Sequence, residues 1–315
     1  MARILVTGAA GFIGSHTVDQ LLAAGHQVWG VDNLRTGRRD NLKGALARGL
    51  KFSEMDVLDA ARLDRLVQRS RVDAIIHLAA LVSVVESIRD PELNFRLNVE
   101  ATHRVAEAAR RHGVRRLVFA SSAAVYGDSK ALPLIETAVV RPISPYGSAK
   151  LASEFLLLSY AAAFGLTVRI QRYFNVFGPR QDPSSPYSGV VSIFVQRLAR
   201  RLPITIFGDG RQTRDFIPVA DVARANLIAA TKTRVATGVA NICTGRRTSL
   251  RMLVDILGRQ LAAPAPRFAA ARPGDIRHSA GSARAAQRAL DFKSQTGIAE
   301  SLRALAAAEA ATIVP

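Results

Sequence analysis

Residues 3–33, RILVTGAAGFIGSHTVDQLLAAGHQVWGVDN, decide the fold of this 315-residue chain. The apolar run Ile4–Thr7 reads as a strand, and it breaks on Gly8-Ala-Ala-Gly11-Phe12-Ile13-Gly14. A helical pattern follows near Ser15–Ala24, then a second strand, Val28–Val31, ending on Asp32. Strand, glycine turn, helix and strand make one βαβ unit. Glycines at such a turn permit a tight bend and let the backbone approach a pyrophosphate at the positive end of the helix. The spacing is G-x-x-G-x-x-G, one residue longer than the ordinary dinucleotide fingerprint, so a plain glycine-rich turn stays open as an alternative. Asp32 favours the dinucleotide. It lies 18 positions past Gly14, where a carboxylate accepts hydrogen bonds from a ribose diol and repels a 2′-phosphate, so the stretch predicts NAD rather than NADP. Arg35, Arg38 and Arg39 follow closely and could hold that phosphate instead.

Outward from this unit, Lys51–Met55, Ala74–Leu78, Leu117–Ala120 and Val168–Gln171 read as further strands. They alternate with helical patterns at Ala60–Arg69, Phe95–Arg111 and Ser148–Phe164. The alternation predicts a Rossmann-type α/β fold with a doubly wound parallel sheet, whose ligands bind beyond the carboxyl ends of the strands. Asp56, at the third strand end, suits an adenine amino group or, alternatively, a helix N-cap. After Gln171 the texture changes. RYFNVFGPRQDPSSPYSG, residues 172–189, is too long for an ordinary turn. Beyond it, helices (Val190–Arg200, Val219–Thr231, Leu250–Leu261, Ala299–Ala310) mix with short strands at Ile204–Phe207 and Val239–Cys243. We expect residues 1–174 to form the NAD-binding domain, with a return segment near 215–235. Residues 175–315 should form a smaller mixed α/β substrate-binding lobe across a cleft.

Composition narrows the partners. An apolar fraction of 49% is that of a globular protein, and no apolar run approaches the length of a membrane span. MARILVTGAAGFIG lacks the long apolar core of a signal peptide and reads as a buried strand. Cys243 is the only cysteine, which excludes an internal disulfide and fits a reducing cytoplasm. The net charge of +18 raises the question of nucleic acid. The arginines are dispersed, however: Arg62, Arg65, Arg69 and Arg71, then Arg110, Arg111, Arg115 and Arg116, then Arg197, Arg200 and Arg201. With no aromatic stacking platform beside them, they predict a solvated basic surface that attracts anionic ligands, not a nucleic-acid site. No metal site is expected.

Tyr146-Gly-Ser-Ala-Lys150 puts a phenol and an ammonium one helical turn apart on one face. Alone, that spacing is common on solvated helices. Beside a nicotinamide the pair can run proton and hydride chemistry on an alcohol, and Ser122 precedes it as a hydroxyl partner.

At this point the chain resembles the extended short-chain dehydrogenase/reductase family, specifically the nucleotide-sugar 4-epimerases. The resemblance rests on GAAGFIG (8–14), VDNLRTG (31–37), HLAA (77–80), SSAAVYG (121–127), SPYGSAK (144–150), RYFNVFGPRQDP (172–183), GDGRQTRDF (208–216) and RPGDIRHS (272–279). By that likeness Tyr146 is the acid/base, Lys150 binds the nicotinamide ribose and Ser122 hydrogen-bonds the reacting hydroxyl. A free tyrosine titrates near 10. Lysine and a cationic nicotinamide would favour phenolate, and lowering the value by about 3 corresponds to roughly 4 kcal/mol. The likeness also implies that Gly8, Gly11, Phe12, Ile13, Gly14, Asp32, Asn33, Asp56, Val57, Leu78, Ala79, Ala80, Asn98 and Tyr173 line the NAD site. Ser83, Asn175, Val190, Phe207 and Asp275 are implied on the sugar nucleotide, with Arg214 and Arg272 on its diphosphate.

Ser122 is followed by Ala123 and Ala124, where the similar 4,6-dehydratases carry an Asp-Glu pair. Without that carboxylate, simple epimerisation is the expected reaction. Ser279 falls where glucose/galactose-restricted relatives have a bulky tyrosine, which leaves room for an N-acetyl group. With the RTSL run at 247–250, the likeness is nearest to the UDP-N-acetylglucosamine 4-epimerases. The expected substrates are UDP-GlcNAc and UDP-GalNAc, with UDP-glucose and UDP-galactose also accepted. A looser site taking both sugar classes, a glucose-restricted epimerase and a dehydratase or other oxidoreductase stay open. Gly281 stands where relatives usually have Asp, which would loosen the following turn. Phe95–Arg111 and Ser148–Phe164, the latter with outward-looking apolar residues in LLLSYAAAF, are the candidate helices of a homodimer built through a four-helix bundle.

Overall fold

The computed structural model describes residues 1–182, 189–261, 264–271 and 276–313. In chain order the first half runs β1 (Arg3–Thr7), α1 (Phe12–Ala23), β2 (Gln27–Asp32), α2 (Lys43–Ala47), β3 (Lys51–Glu54), α3 (Ala60–Ser70) and β4 (Ala74–His77). It continues through α4 (Val84–Arg89), α5 (Pro91–Phe95), a π-turn at Arg96–Glu100, α6 (Ala101–Arg111), β5 (Arg116–Ser122), α7 (Pro145–Phe164) and β6 (Thr167–Tyr173). The second half comprises β7 (Asn175–Phe177), α8 (Val190–Ala199), β8 (Thr205–Phe207), β9 (Thr213–Arg214), β10 (Phe216–Pro218) and α9 (Val219–Thr231). It closes with β11 (Gly238–Ile242), β12 (Thr248–Ser249), α10 (Leu250–Leu261), β13 (Arg267–Ala269), α11 (Arg284–Leu290) and α12 (Ile298–Ile313).

Seven strands form one parallel sheet in the order β11-β6-β5-β4-β1-β2-β3. The register aligns Thr7 with Val31 and His77, and Ser122 with Tyr173. The order runs one way from β1 to β3 and the other way from β4 to β11, so the chain switches direction between β1 and β4. That is where doubly wound sheets open a ligand crevice. Alternate residues of the strands feed two cores. Ile4 and Val6 pack with Val18, Leu21, Val222 and Ala225 of α1 and α9. Leu5 and Ile75 pack on the other face with Leu63, Val105 and Leu157 of α3, α6 and α7. Each such aliphatic side chain contributes about 1.5–3 kcal/mol on burial.

Local chemistry sets the helix ends. Asp59 caps α3 by accepting from Arg62 N at 3.0 Å. Ser144 caps α7, with Pro145 in its first turn, and Gly165 ends it at φ 69°. A third core, with Phe194, Leu198, Ile206, Leu253, Leu257 and Leu302, holds α8, α10 and α12 together in the smaller lobe.

Two expectations change. The strand at Val239–Cys243, expected in the second lobe, is β11, an edge strand of the main sheet paired in parallel with β6. A strand-like run of five residues cannot announce its partner; the crossover through α9 decides it. In LLLSYAAAF, residues 156–164, Leu157 and Tyr160 face inward and are buried, whereas Phe164, like Phe155 just before the run, points out.

Candidate active site

The glycine turn after β1 is shaped by close backbone contacts. Gly8 has φ 68°, and a Cβ there would lie 2.8 Å from Ala79 N. A Cβ on Gly14 would lie 1.9 Å from the Gly8 carbonyl, so only glycine lets α1 start against this turn. Gly11 is the N-cap and no side chain caps the helix, which leaves its first N–H groups pointing out of the turn as anion donors.

Asp32, at the end of β2, is buried; its Oδ2 accepts from Ala10 N at 2.9 Å and its Oδ1 from Leu34 N at 2.8 Å. Burial raises its pKa, and the Leu34, Ala10 and Gly11 amides oppose the rise. Gly37, which the sequence reading passed over inside VDNLRTG, matters here: a Cβ on it would sit 2.8 Å from both Asp32 oxygens. Each arginine considered for a 2′-phosphate faces a carboxylate instead. Arg35 pairs with Glu86, Arg38 with Asp182 at 2.5 Å and Arg39 with Glu54 at 3.5 Å. The uncapped helix, the glycine cradle and the Asp32 carboxylate fit a dinucleotide of the NAD type.

Other expected cofactor residues gather on the same edge. Asn33 donates to Asp56 at 2.9 Å, and Asp56 accepts from Leu58 N at 2.8 Å in a local turn; the helix cap is Asp59. Val57 is buried, and Leu78–Ala80 follow β4 directly. Thr7 Oγ1 accepts from Leu78 N and Ala79 N and bonds His77 Nδ1 at 2.7 Å. Burial and nearby Lys150 push His77 down to about 3, so its ring is neutral. Asn98 sits in the π-turn, buried, donating to Leu81 O and Asn94 Oδ1. Tyr173 commits its phenol to Asn226 at 2.6 Å.

Ser122 ends β5 and Tyr146 lies in the first turn of α7. Gly147 lets the two approach, since a Cβ there would meet Ala124 O at 2.8 Å. Ser122 stands near enough to the Tyr146 phenol to act on its pKa, and its Oγ accepts from Ala124 N at 3.1 Å. Lys150 is 3% exposed, with Nζ 5.0 Å from the Phe119 ring and 5.9 Å from the Tyr146 ring centroid. The burial of the couple works against ionisation of the phenol. Burial pushes Tyr146 up, with only Ser122 opposing. Lys150 is itself driven down to about 7 by burial, with Glu154 opposing. The protein's own groups therefore favour the neutral phenol, because the dry cleft penalises both charges at once.

Outside the main sheet, β12 lies antiparallel to β9, which carries Arg214. Arg214 Nη1 donates to Thr213 O at 2.9 Å, and Ser279 N donates to the same carbonyl at 3.1 Å. Asn175 donates its side-chain amide to Asp215 O at 3.2 Å. Phe207 ends β8 and Val190 opens α8. Ser83 is buried and spends its hydroxyl capping α4, accepting from Glu86 N at 2.9 Å. Arg272 and Asp275 lie outside the described residues.

Asp215 was missed, although it stands inside GDGRQTRDF. Its buried carboxylate accepts from Thr244 N, Thr244 Oγ1, Gly245 N and Gly281 N, and so ties three segments together behind Arg214 and Ser279. Gly281 loosens nothing. A Cβ there would lie 2.6 Å from the Phe174 ring and 2.8 Å from Cys243 Sγ; neighbours fill the space that a side chain would need.

Fold and site together define a dinucleotide-binding α/β protein with a tyrosine–lysine couple packed beside β5. The chain belongs to the NAD dependent epimerase/dehydratase family, whose model matches residues 4–243. It is 41% identical over 303 residues to a UDP-glucose 4-epimerase of Mycolicibacterium smegmatis, covering 95% of this chain and 96% of that one. Among solved structures it superposes on the UDP-glucose 4-epimerase of Thermotoga maritima with UDP-glucose. There the TM-score is 0.93 and the identity 37%, over 99% of this chain and 100% of that one. It is equally similar, at TM-score 0.93 and 34% identity over 99% of each chain, to a UDP-N-acetylglucosamine 4-epimerase from Methanobrevibacter ruminantium in complex with UDP-N-acetylmuramic acid.

Proposed function

We propose that this protein inverts C4 of a UDP-sugar through a transient 4-keto sugar. The substrates proposed are UDP-GlcNAc and UDP-GalNAc, with UDP-glucose and UDP-galactose also accepted. The observation that carries the reading is the gathering of Ser122 and buried Lys150 about the Tyr146 phenol, with Lys150 Nζ 5.9 Å from its ring centroid and alanine at 123 and 124. Similarity to both UDP-glucose and UDP-N-acetylglucosamine epimerases supports the substrate class.

In this reading the turn at Gly8–Gly14 holds the pyrophosphate of NAD and Asp32 holds its adenosine ribose. When bound, NAD supplies reversible hydride transfer at C4 and a positive charge beside the phenol. Tyr146 takes the proton from the C4 hydroxyl and later returns it. Ser122 holds that hydroxyl in line with the phenol, and charged Lys150 lowers the cost of phenolate. Arg214 grips the diphosphate while the sugar end turns over. With no carboxylate at 123–124, no group stands ready to eliminate water from the keto sugar. Ser279, half-buried beside Arg214, leaves the C2 substituent room that a tyrosine would take.

Phe95, Phe155 and Phe164 expose more than half of their surface on the α5–α6 and α7 helices. That supports a homodimer through a four-helix bundle. The function is tested by incubating the protein separately with UDP-GalNAc, UDP-galactose and UDP-glucose and separating the products. Epimerised N-acetylated and plain sugars are expected. Conversion of UDP-galactose alone would restrict the enzyme to plain sugars, and an accumulating keto sugar would make it a dehydratase or oxidase.

A further inference from the structure

Glu154 and Arg172 have no part in the mechanism above, yet they form the most deeply buried ion pair among the described residues, with side chains 2% and 5% exposed. Arg172 Nε and Nη2 donate to the two carboxylate oxygens at 2.9 and 2.6 Å. Ser121 Oγ donates to the same carboxylate. Arg172 Nη1 reaches Glu136 O at 3.3 Å, and its guanidinium lies 4.8 Å from the Tyr126 ring. A buried pair of this kind says little about stability, because desolvation offsets most of the attraction. Its place says more. Glu154 follows Lys150 by one turn on α7, Ser121 adjoins Ser122, and Arg172 adjoins Tyr173 and pairs in register with Ser121. The pair therefore lies directly behind three residues of the proposed site.

The titratable groups around Lys150 are few. Tyr146 and Glu154 come from its own helix and His77 from β4, where the ring is neutral. Phe119 of β5 presents only its ring. Beyond Glu154 stand Arg172 and Tyr126, with the Glu136 charge acting on Tyr126 from further out. Tyr173 of β6 is turned to Asn226. Glu154 is thus the one acidic group acting on the buried ammonium, and Arg172 is the cation that limits it.

We propose that Glu154 is a positioning residue that keeps Lys150 charged, and that Arg172 tempers it, so that the pair sets the pH range in which the Tyr146–Lys150 couple works. The inference rests on the reading that this couple carries the chemistry. Without the carboxylate, burial alone acts on an ammonium already brought down to about 7, and a neutral Lys150 no longer favours phenolate.

The test is the pH profile of kcat for UDP-galactose with the NAD-loaded protein. Glu154→Gln removes a negative charge, so both limbs should move to lower pH, by roughly one pH unit for a charge one turn away. Arg172→Met should move them to higher pH. The charge-neutral double variant should return the profile towards its parent position, and Arg172→Lys should leave it in place. Opposite displacements are beyond a merely structural role, which would lower kcat at every pH without moving the limbs; that result would overturn the proposal. If Glu154→Gln yields no folded protein, Glu154→Asp withdraws the carboxylate and should give a smaller shift of the same sign. An unmoved or alkaline-shifted profile there also overturns it. Normal turnover in Tyr146→Phe would instead indict the underlying reading, whereas an inactive Tyr146→Phe with an unmoved Glu154→Gln profile would sink this inference alone.

Discussion

At the scale of single residues, the proposed chemistry depends on a phenol that its surroundings hold neutral. Tyr146→Phe removes the proton acceptor and keeps the ring, so kcat should fall on the order of 10²–10⁴-fold while NAD content stays unchanged, measured by absorbance after denaturation. Ser279→Tyr should abolish turnover of UDP-GalNAc and spare UDP-galactose. Equal losses on both sugars, in parallel kcat/KM measurements, would remove Ser279 as the gate. Asp32 and Tyr146 were legible in the sequence because a strand end and a helical turn place them without reference to distant residues. Glu154, Asp215 and Gly37 were not. Each matters through a neighbour remote in sequence or folded against it: Arg172, the 244–245 turn and the Asp32 carboxylate.

At the scale of elements, the two halves of the site have different kinds of support. The cofactor side is backbone geometry, with a helix that starts against the Gly8 carbonyl and carries no side-chain cap. The proposed substrate side is held by one carboxylate, Asp215, with four donors from two other segments. Asp215→Ala would leave those donors without an acceptor. A loss of about 1–3 kcal/mol for a buried unsatisfied group sets the least expected, read as a lower midpoint in urea. KM for the UDP-sugar should rise as well, because Arg214 directly precedes Asp215 and Ser279 is hydrogen-bonded to Thr213 of the same segment. The helix expected over Phe95–Arg111 exists but is longer and broken by a π-turn around Asn98. Apolar periodicity reports the face of a helix and not the register of its hydrogen bonds, so that turn was invisible beforehand.

At the scale of the whole molecule, pH and assembly provide the tests. His77 is neutral in the fold, with its pKa lowered to about 3, whereas in the unfolded chain it takes a proton near 6.5. The unfolded state thus binds more protons between these values, and stability should fall as pH falls through that window. Asp32 and Asp215 have raised values and act with the opposite sign, but only nearer the ordinary carboxylate range. Urea unfolding between about pH 7 and 5 should show the His77 slope, and His77→Gln should flatten it. Phe155→Glu places a charge in the proposed dimer face and should give a monomer by sedimentation. A dimer that survives it would move the interface elsewhere.

Short apolar runs, glycine spacing and strand-end carboxylates act locally. The sequence by itself therefore determined the α/β alternation, the NAD cradle and the tyrosine–lysine couple. Pairing and burial act between segments far apart in the chain. The tertiary structure alone decided that Gly238–Ile242 joins the main sheet and that Leu157 and Tyr160 turn inward. It alone decided that Asp215 gathers the substrate side, and that the cleft raises the Tyr146 pKa and lowers that of Lys150. The physical reason is common to all four: each outcome depends on which groups exclude water from which others, and only the folded chain brings them together.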